Sequence, residues 1–152
     1  MSYGGKNTGD GLRQVKVIIV LDSKEYILYL NKKSSLVERI LVNENVNVYI
    51  NELIVREVLR NIKEDLKREF YELLFKSNIF VFHETLPLLL LQKYQKLGLK
   101  KGDIVIAAFC EHVKAGCLVT ENRHFLKAVD VDCFRVIGLK RLCDNLKAGC
   151  GY

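Results

Sequence analysis

Three carboxylates stand where a folded chain of alternating strands and helices would bring them to one edge, and a fourth opens a buried helix. Asp22 closes the β-branched run Val-Lys-Val-Ile-Ile-Val-Leu that begins at Val15. Glu121 follows Thr120 directly after the short apolar run Cys117-Leu118-Val119. Glu57 lies in a helical segment, where about 100° per residue puts it between Leu53 and Ile54 on the border of the apolar face, with Arg56 and Arg60 toward solvent. Asp103 opens Ile104-Val-Ile-Ala-Ala-Phe-Cys110, a stretch apolar around its whole circumference. Each acid has an ordinary structural explanation. Asp22 reads as a strand-to-helix cap, Asp103 as a cap or first-turn acid favoured by the helix dipole, Glu57 as a solvated helix edge and Glu121 as a loop residue. Brought together, however, they repel one another unless a cation neutralises them. An oxygen-rich, incompletely filled set of this kind suits a hard divalent ion such as Mg²⁺.

Other chemistries find less support. The chain has no Gly-rich phosphate loop, no Gly-x-Ser-x-Gly elbow and no Gly-x-Gly-x-x-Gly after its first strand. The three histidines, His83, His112 and His124, lack metal-ligand spacing; His112 falls near a helix C-terminus and His124 at the surface. The five cysteines are odd in number and form no Cys-x-x-Cys pair, so they read as reduced thiols, largely in the core, of an intracellular protein.

The elements that must position the acids follow from periodicity. Strands are expected over Val15 to Leu21, Val46 to Ile50, Ile79 to Phe82, Cys117 to Val119 and Phe134 to Ile137. Helical spacing carries Tyr26, Ile27 and Leu30, then Ser35 to Val42. Asn51 caps a helix reaching about Ile62, and a further helix spans Lys63 to Phe75. Thr85 caps a helix with Pro87 in its first turn, stopped by Gly98. The helix carrying Asp103 ends at Gly116, and Asn122 caps a short helix bearing Phe125 and Leu126. A terminal helix carries Leu139, Leu142 and Leu146. Lys-Ala-Gly-Cys at 114–117 and again at 147–150 reads as two helix C-termini built alike. Strands alternating with helices give an α/β fold with a mainly parallel sheet, whose ligands bind beyond the carboxyl ends of the strands.

The first 13 residues read as a flexible leader, and residues 14–152 as a single domain with 49% apolar content over the whole chain. No apolar run is long enough to cross a bilayer, and the N-terminus has no signal-peptide core, so a cytoplasmic location without membrane association is expected. Lys and Arg outnumber Asp and Glu by 24 to 18, a balance compatible with a polyanionic partner.

The order and spacing of four segments resemble the PIN-domain ribonucleases, the family that includes the VapC toxins. These segments are Val-Ile-Ile-Val-Leu-Asp22, then Val-Tyr-Ile-Asn-Glu-Leu-Ile-Val-Arg-Glu57, then Leu-Gly-Leu-Lys-Lys-Gly-Asp103, and Leu-Val-Thr120-Glu-Asn-Arg-His-Phe125. The resemblance runs from Val15 to about Ile137. It implies a three-layer α/β/α sandwich and an acidic site formed by Asp22, Glu57 and Asp103. It also implies Mg²⁺ or Mn²⁺ as cofactor, RNA as substrate and a homodimer, with an antitoxin protein as partner for toxin members. Ser23 and Thr120 match the family's hydroxyl positions, while Lys24 replaces a small polar residue. Asn122 stands where the family commonly has an Asp, and Glu121 is the acid one residue away that would supply the charge. The activity implied is metal-dependent hydrolysis of RNA phosphodiester bonds, with Asn122 and Thr120 orienting ligands or water and with Lys24 and Arg123 beside the RNA backbone. The alternative is a non-catalytic PIN-like module that binds RNA or protein. A doubly wound phosphotransfer or nucleotide-binding domain would use Asp22 but leaves Glu57 and Asp103 without a part.

Overall fold

The computed structural model describes residues 16–122, 125 and 133–147. The first β-branched run forms β1 (Val17–Leu21), in which Ile19, Val20 and Leu21 are fully buried. Consecutive burial is what a strand covered on both faces requires. Helices α1 (Ser23–Leu30) and α2 (Leu36–Leu41) lead to β2 (Val46–Asn51), and α3 (Glu52–Arg60) and α4 (Glu64–Leu74) lead to β3 (Ile79–Phe82). Then come α5 (Leu88–Lys96), α6 (Lys101–His112), β4 (Cys117–Val119), β5 (Arg135–Ile137) and a last helix, α7 (Leu139–Lys147).

All five strands are parallel, in the order β3-β2-β1-β4-β5. Helix α1 packs against α2, α3 and α4, and α2 against α7, whereas α5 and α6 pair with each other. Sheet and helices build the α/β/α sandwich expected from the sequence. The chain winds outward from β1 to β2 and β3, then returns to lay β4 on the other side of β1. The order therefore reverses between β1 and β4, the place where an open parallel sheet leaves a crevice at its carboxyl edge. Among the described residues no helix is long and apolar enough to cross a membrane.

Several local expectations hold. Asn51 caps α3 by accepting the Ile54 N–H at 2.9 Å. Gly98 stops α5 with a left-handed φ of 91°. In α6, Ile106 to Cys110 are all buried, as an all-round apolar helix should be. Cys110, Cys117 and Cys143 are buried free thiols, while Cys133 is free but exposed.

Two helix ends differ from expectation. The cap of α5 is Pro87, whose carbonyl accepts from Leu90 and Leu91, and Thr85 lies exposed outside the helix. A proline disfavours helical backbone at the residue before it, so the helix cannot begin upstream of Pro87. Helix α6 ends at His112, four residues before Gly116. Its closing turn puts Lys114 at φ 59°, with Lys114 N–H donating to Glu111 and Ala115 N–H to Cys110. Gly116 instead leads directly into β4, its N–H donating to the Ile18 carbonyl of β1 at 2.7 Å. The expected leader, Arg123, His124, Leu126 and the second Lys-Ala-Gly-Cys beyond Lys147 lie outside the described residues.

Candidate acidic site at the reversal of the sheet

Leu21 lies opposite Val119 in the β1–β4 pairing, so the next residues along, Asp22 and Thr120, are neighbours at the crevice. The Asp22 N–H donates to the Val119 carbonyl at 3.0 Å, which carries the ladder one step past the strand end. Thr120 is buried and donates its hydroxyl to Asp22 Oδ2 at 2.8 Å. Asp22 is also the N-cap of α1, with Oδ1 accepting the Ser23 N–H at 2.7 Å. The cap role and the site role thus coexist on one carboxylate, each oxygen serving one of them.

Ser23 extends the set. Its hydroxyl donates to Glu57 Oε2 at 3.0 Å, across 34 residues of sequence. Its 3.5 Å separation from Asp22 Oδ1 is long for a second bond, so the single hydroxyl proton serves Glu57. Glu57 reaches this place because α3 packs on α1 and turns the border of its apolar face inward; Ile54 and Val58 are buried, while Arg56 and Arg60 are exposed. Asp22, Ser23, Glu57 and Thr120 form one hydrogen-bonded chain.

Asp103 arrives from the opposite layer. It sits half-buried in the first turn of α6 and shares a helical face with Ile106, Ala107 and Cys110, all buried. The C-terminal end of α6 feeds the start of β4, so its N-terminal end lies toward the carboxyl edge of the sheet. Asp22 is close enough for its charge to add to the burial and the Cys117 contribution that push the Cys110 thiol upward. Asp103 lies two turns from Cys110 on that face. Among the described residues, no three His, Cys, Asp or Glu side chains are gathered closely enough to hold a metal ion.

The fourth segment is used differently from expectation. Asn122 accepts the Phe125 N–H through Oδ1 at 3.4 Å, the capping role anticipated for it, and its own N–H donates to the Thr120 hydroxyl at 3.0 Å. Glu121 is exposed and accepts the Leu139 N–H at 3.1 Å, so its carboxylate sits at the N-terminus of α7, where the helix dipole favours it. Gly138 gives that carboxylate room, since a Cβ there would stand 2.9 Å from Glu121 Oε2.

One acid escaped the sequence reading. Glu25, in the first turn of α1, is only 2% exposed, and its Oε2 has no hydrogen-bond partner among the described residues. Burial first, then the charges of Glu121 and Asp22, raise its carboxyl from 4.5 to about 7, with Lys24 partly offsetting them. The three-residue spacing from Asp22 puts both acids on one side of α1 but does not say that this side turns inward at Glu25. The donors here are oxygens throughout, and the orphaned Glu25 oxygen is an acceptor of the kind a cation satisfies; a hard divalent ion fits this chemistry.

Comparison with protein-family models and with curated proteins finds no match to the chain. The function must be argued from the site.

Proposed function

We propose that the protein is a metal-dependent endoribonuclease of the PIN type, acting at the carboxyl edge between β1 and β4. The observation that carries this reading is the hydrogen-bonded chain linking Asp22 and Glu57 through Ser23, with Thr120 on the outer oxygen of Asp22. A second acid, reached through a hydroxyl 34 positions away from it in sequence, is not needed to cap α1, which Asp22 does alone. Asp22, Glu57 and Asp103 would hold Mg²⁺ or Mn²⁺, with Glu121 able to add charge. Such an ion supplies a bound water of lowered pKa and stabilises charge developing on the phosphate.

The chain's own residues supply orientation. The buried Thr120 hydroxyl and the Ser23 N–H fix both oxygens of Asp22, leaving one rotamer for it to present. The Ser23 hydroxyl does the same for one oxygen of Glu57 and leaves the other open. Asn122 holds the Thr120 hydroxyl from behind, so that it donates forward to Asp22. Lys24, exposed beside the site, is placed for the RNA backbone, and the net charge of +6 favours a polyanion. A cytoplasmic setting, a homodimer and an antitoxin partner belong to the same proposal. Phe75, Leu88 and Leu89 expose apolar side chains that such partners would cover.

Incubation with single-stranded RNA and Mn²⁺, beside an Asp103→Asn variant, tests the reading. The parent should cleave, and the variant should lose at least a hundredfold in rate. Equal cleavage by the two would point to a contaminating nuclease. A non-catalytic RNA- or protein-binding module is favoured instead by the use of Glu121 and Asn122 as local caps. Such a module would take up no Mn²⁺ in calorimetry.

A further inference from the structure

A recess outside the acidic site opens on the same edge of the sheet, where Asn51 ends β2 beside Phe82 at the end of β3. It encloses about 250 Å³, and its walls are Leu53 of α3, Phe82, Leu86 and Val105 of α6, all half-buried. The fold ties it to the acids. Leu53 stands one turn before Glu57 on α3, where side chains four residues apart lie about 5–6 Å from each other. Val105 shares a face of α6 with Phe109 and His112, whose rings pack against Phe82 at 5.3 and 5.5 Å. Asp103 lies on the other side of that helix, with Cys110. The mouth of the recess is polar. Glu52 Oε1 is 3.0 Å from His83 Nδ1, and the other Glu52 oxygen has no partner among the described residues. Glu84 and Thr85 are exposed beside it. Arg56, one turn along α3 from Glu52, is exposed and in no ion pair among the described residues.

We infer that this recess is a base-selecting subsite, which takes adenine or cytosine from the RNA strand beside the scissile phosphate. The inference deepens the nuclease reading and rests on it for RNA being the ligand. The volume lies below the roughly 300–1,000 Å³ of sites for drug-sized ligands, so it suits a single ring system. Apolar walls cover the faces of such a ring, a polar mouth meets its edge, and an unpaired guanidinium outside takes a flanking phosphate. The mouth also discriminates. Adenine and cytosine carry an amino donor next to a ring-nitrogen acceptor. Glu52 accepts from the amino group, and the Thr85 hydroxyl donates to the ring nitrogen. Guanine and uracil have a carbonyl oxygen at the amino position, and it would face Glu52 and Glu84, two carboxylates that only accept. A strand held at Asp22, Glu57 and Asp103 passes the recess about one turn of α3 away from Glu57.

Fluorescence anisotropy on the full chain in Ca²⁺, with labelled strands of equal length made of cytidine, of uridine or of abasic ribose, tests this. The three strands carry the same phosphates, so attraction to net charge treats them alike. The parent should bind the cytidine strand at least fivefold tighter than the uridine strand. Glu52→Gln, whose amide can donate to a carbonyl, should bring that ratio to within about twofold. Leu86→Trp, which fills the recess, should weaken the cytidine strand at least fivefold and leave the abasic strand unchanged. Where Leu86→Trp lowers the Tm, Glu52→Gln, at an exposed position, decides alone. A parent that binds cytidine and uridine strands equally, or a cytidine preference that survives Glu52→Gln, overturns the subsite and leaves the nuclease reading standing. In a Leu86→Trp protein of parental Tm, equal weakening of the cytidine and abasic strands would place the loss in phosphate contacts and also overturn it. A parent that binds none of the strands removes the subsite and the nuclease reading together.

Discussion

Burying the Glu25 carboxyl beside Asp22 and Glu121 couples the stability of the fold to pH. Folding raises this group from 4.5 to about 7, so between those values the folded chain keeps a proton that the unfolded chain releases. The contribution is fully present below 4.5 and is lost as pH rises through 7. Glu25→Gln removes the titration. In metal-free buffer the variant should therefore gain roughly 3 kcal/mol on the parent between about pH 4.5 and about pH 8. Urea unfolding at the two pH values measures this, and a difference that stays constant would place the carboxylate in contact with solvent. At the same scale, Asp22, Glu57 and Thr120 were legible in the sequence for a simple reason. Two follow strand ends, and the third interrupts an apolar stripe. Glu25 was not legible, because α1 has only eight residues and its Tyr26, Ile27 and Leu30 pattern leaves the inward face open to several choices. The packing of α1 against α2, α3 and α4 decides which of its side chains turn inward.

Strands were more legible than helix ends, because a strand buried on both faces has to be apolar throughout, whereas a helix end is decided by one residue's backbone. Ile79–Phe82 and Cys117–Val119 carry the expected bounds. The end of α6 does not, since Lys114 takes the left-handed position and the nearby Gly116 does not. A side chain in that conformation costs about 1–2 kcal/mol relative to right-handed backbone. Glycine removes that cost but adds about 0.5–1 kcal/mol of unfolded-state entropy. The first effect is the larger, so Lys114→Gly should stabilise the protein by about 0.5–1 kcal/mol, as an upward shift of the urea midpoint with an unchanged slope. Lys114 is exposed, so little packing is lost. A lower midpoint would mean that the lysine stem contributes more than its backbone costs. The analogous Lys32, at φ 60°, is a poorer test because its ammonium pairs with Glu69 at 2.9 Å.

At the scale of the molecule, a parallel sheet gives its two edges different work, and the placement of cations allows the proposed RNA surface to be tested without touching any carboxylate. Lys24 in the first turn of α1 and Arg56 in α3 are exposed, and both helices begin at the carboxyl edge. Lys16, just before β1, and Lys76, just before β3, are equally exposed at the amino edge. All four contribute the same to net charge, so general attraction for a polyanion treats them alike, while docking at the carboxyl edge does not. Each phosphate contact releases counterions, giving a single strand a salt slope of about −0.7 per contact. The double variant Lys24→Glu/Arg56→Glu should therefore weaken single-stranded RNA binding and flatten the dependence of log K on log salt by roughly 0.7 per cation removed from contact. Lys16→Glu/Lys76→Glu should leave the slope near that of the parent. Fluorescence anisotropy with a labelled oligonucleotide, in Ca²⁺ to suppress turnover and across a range of salt, separates the two cases. Equal flattening by both double variants would show that the RNA is held by net charge alone, and would detach binding from the edge where Asp22 and Glu57 meet.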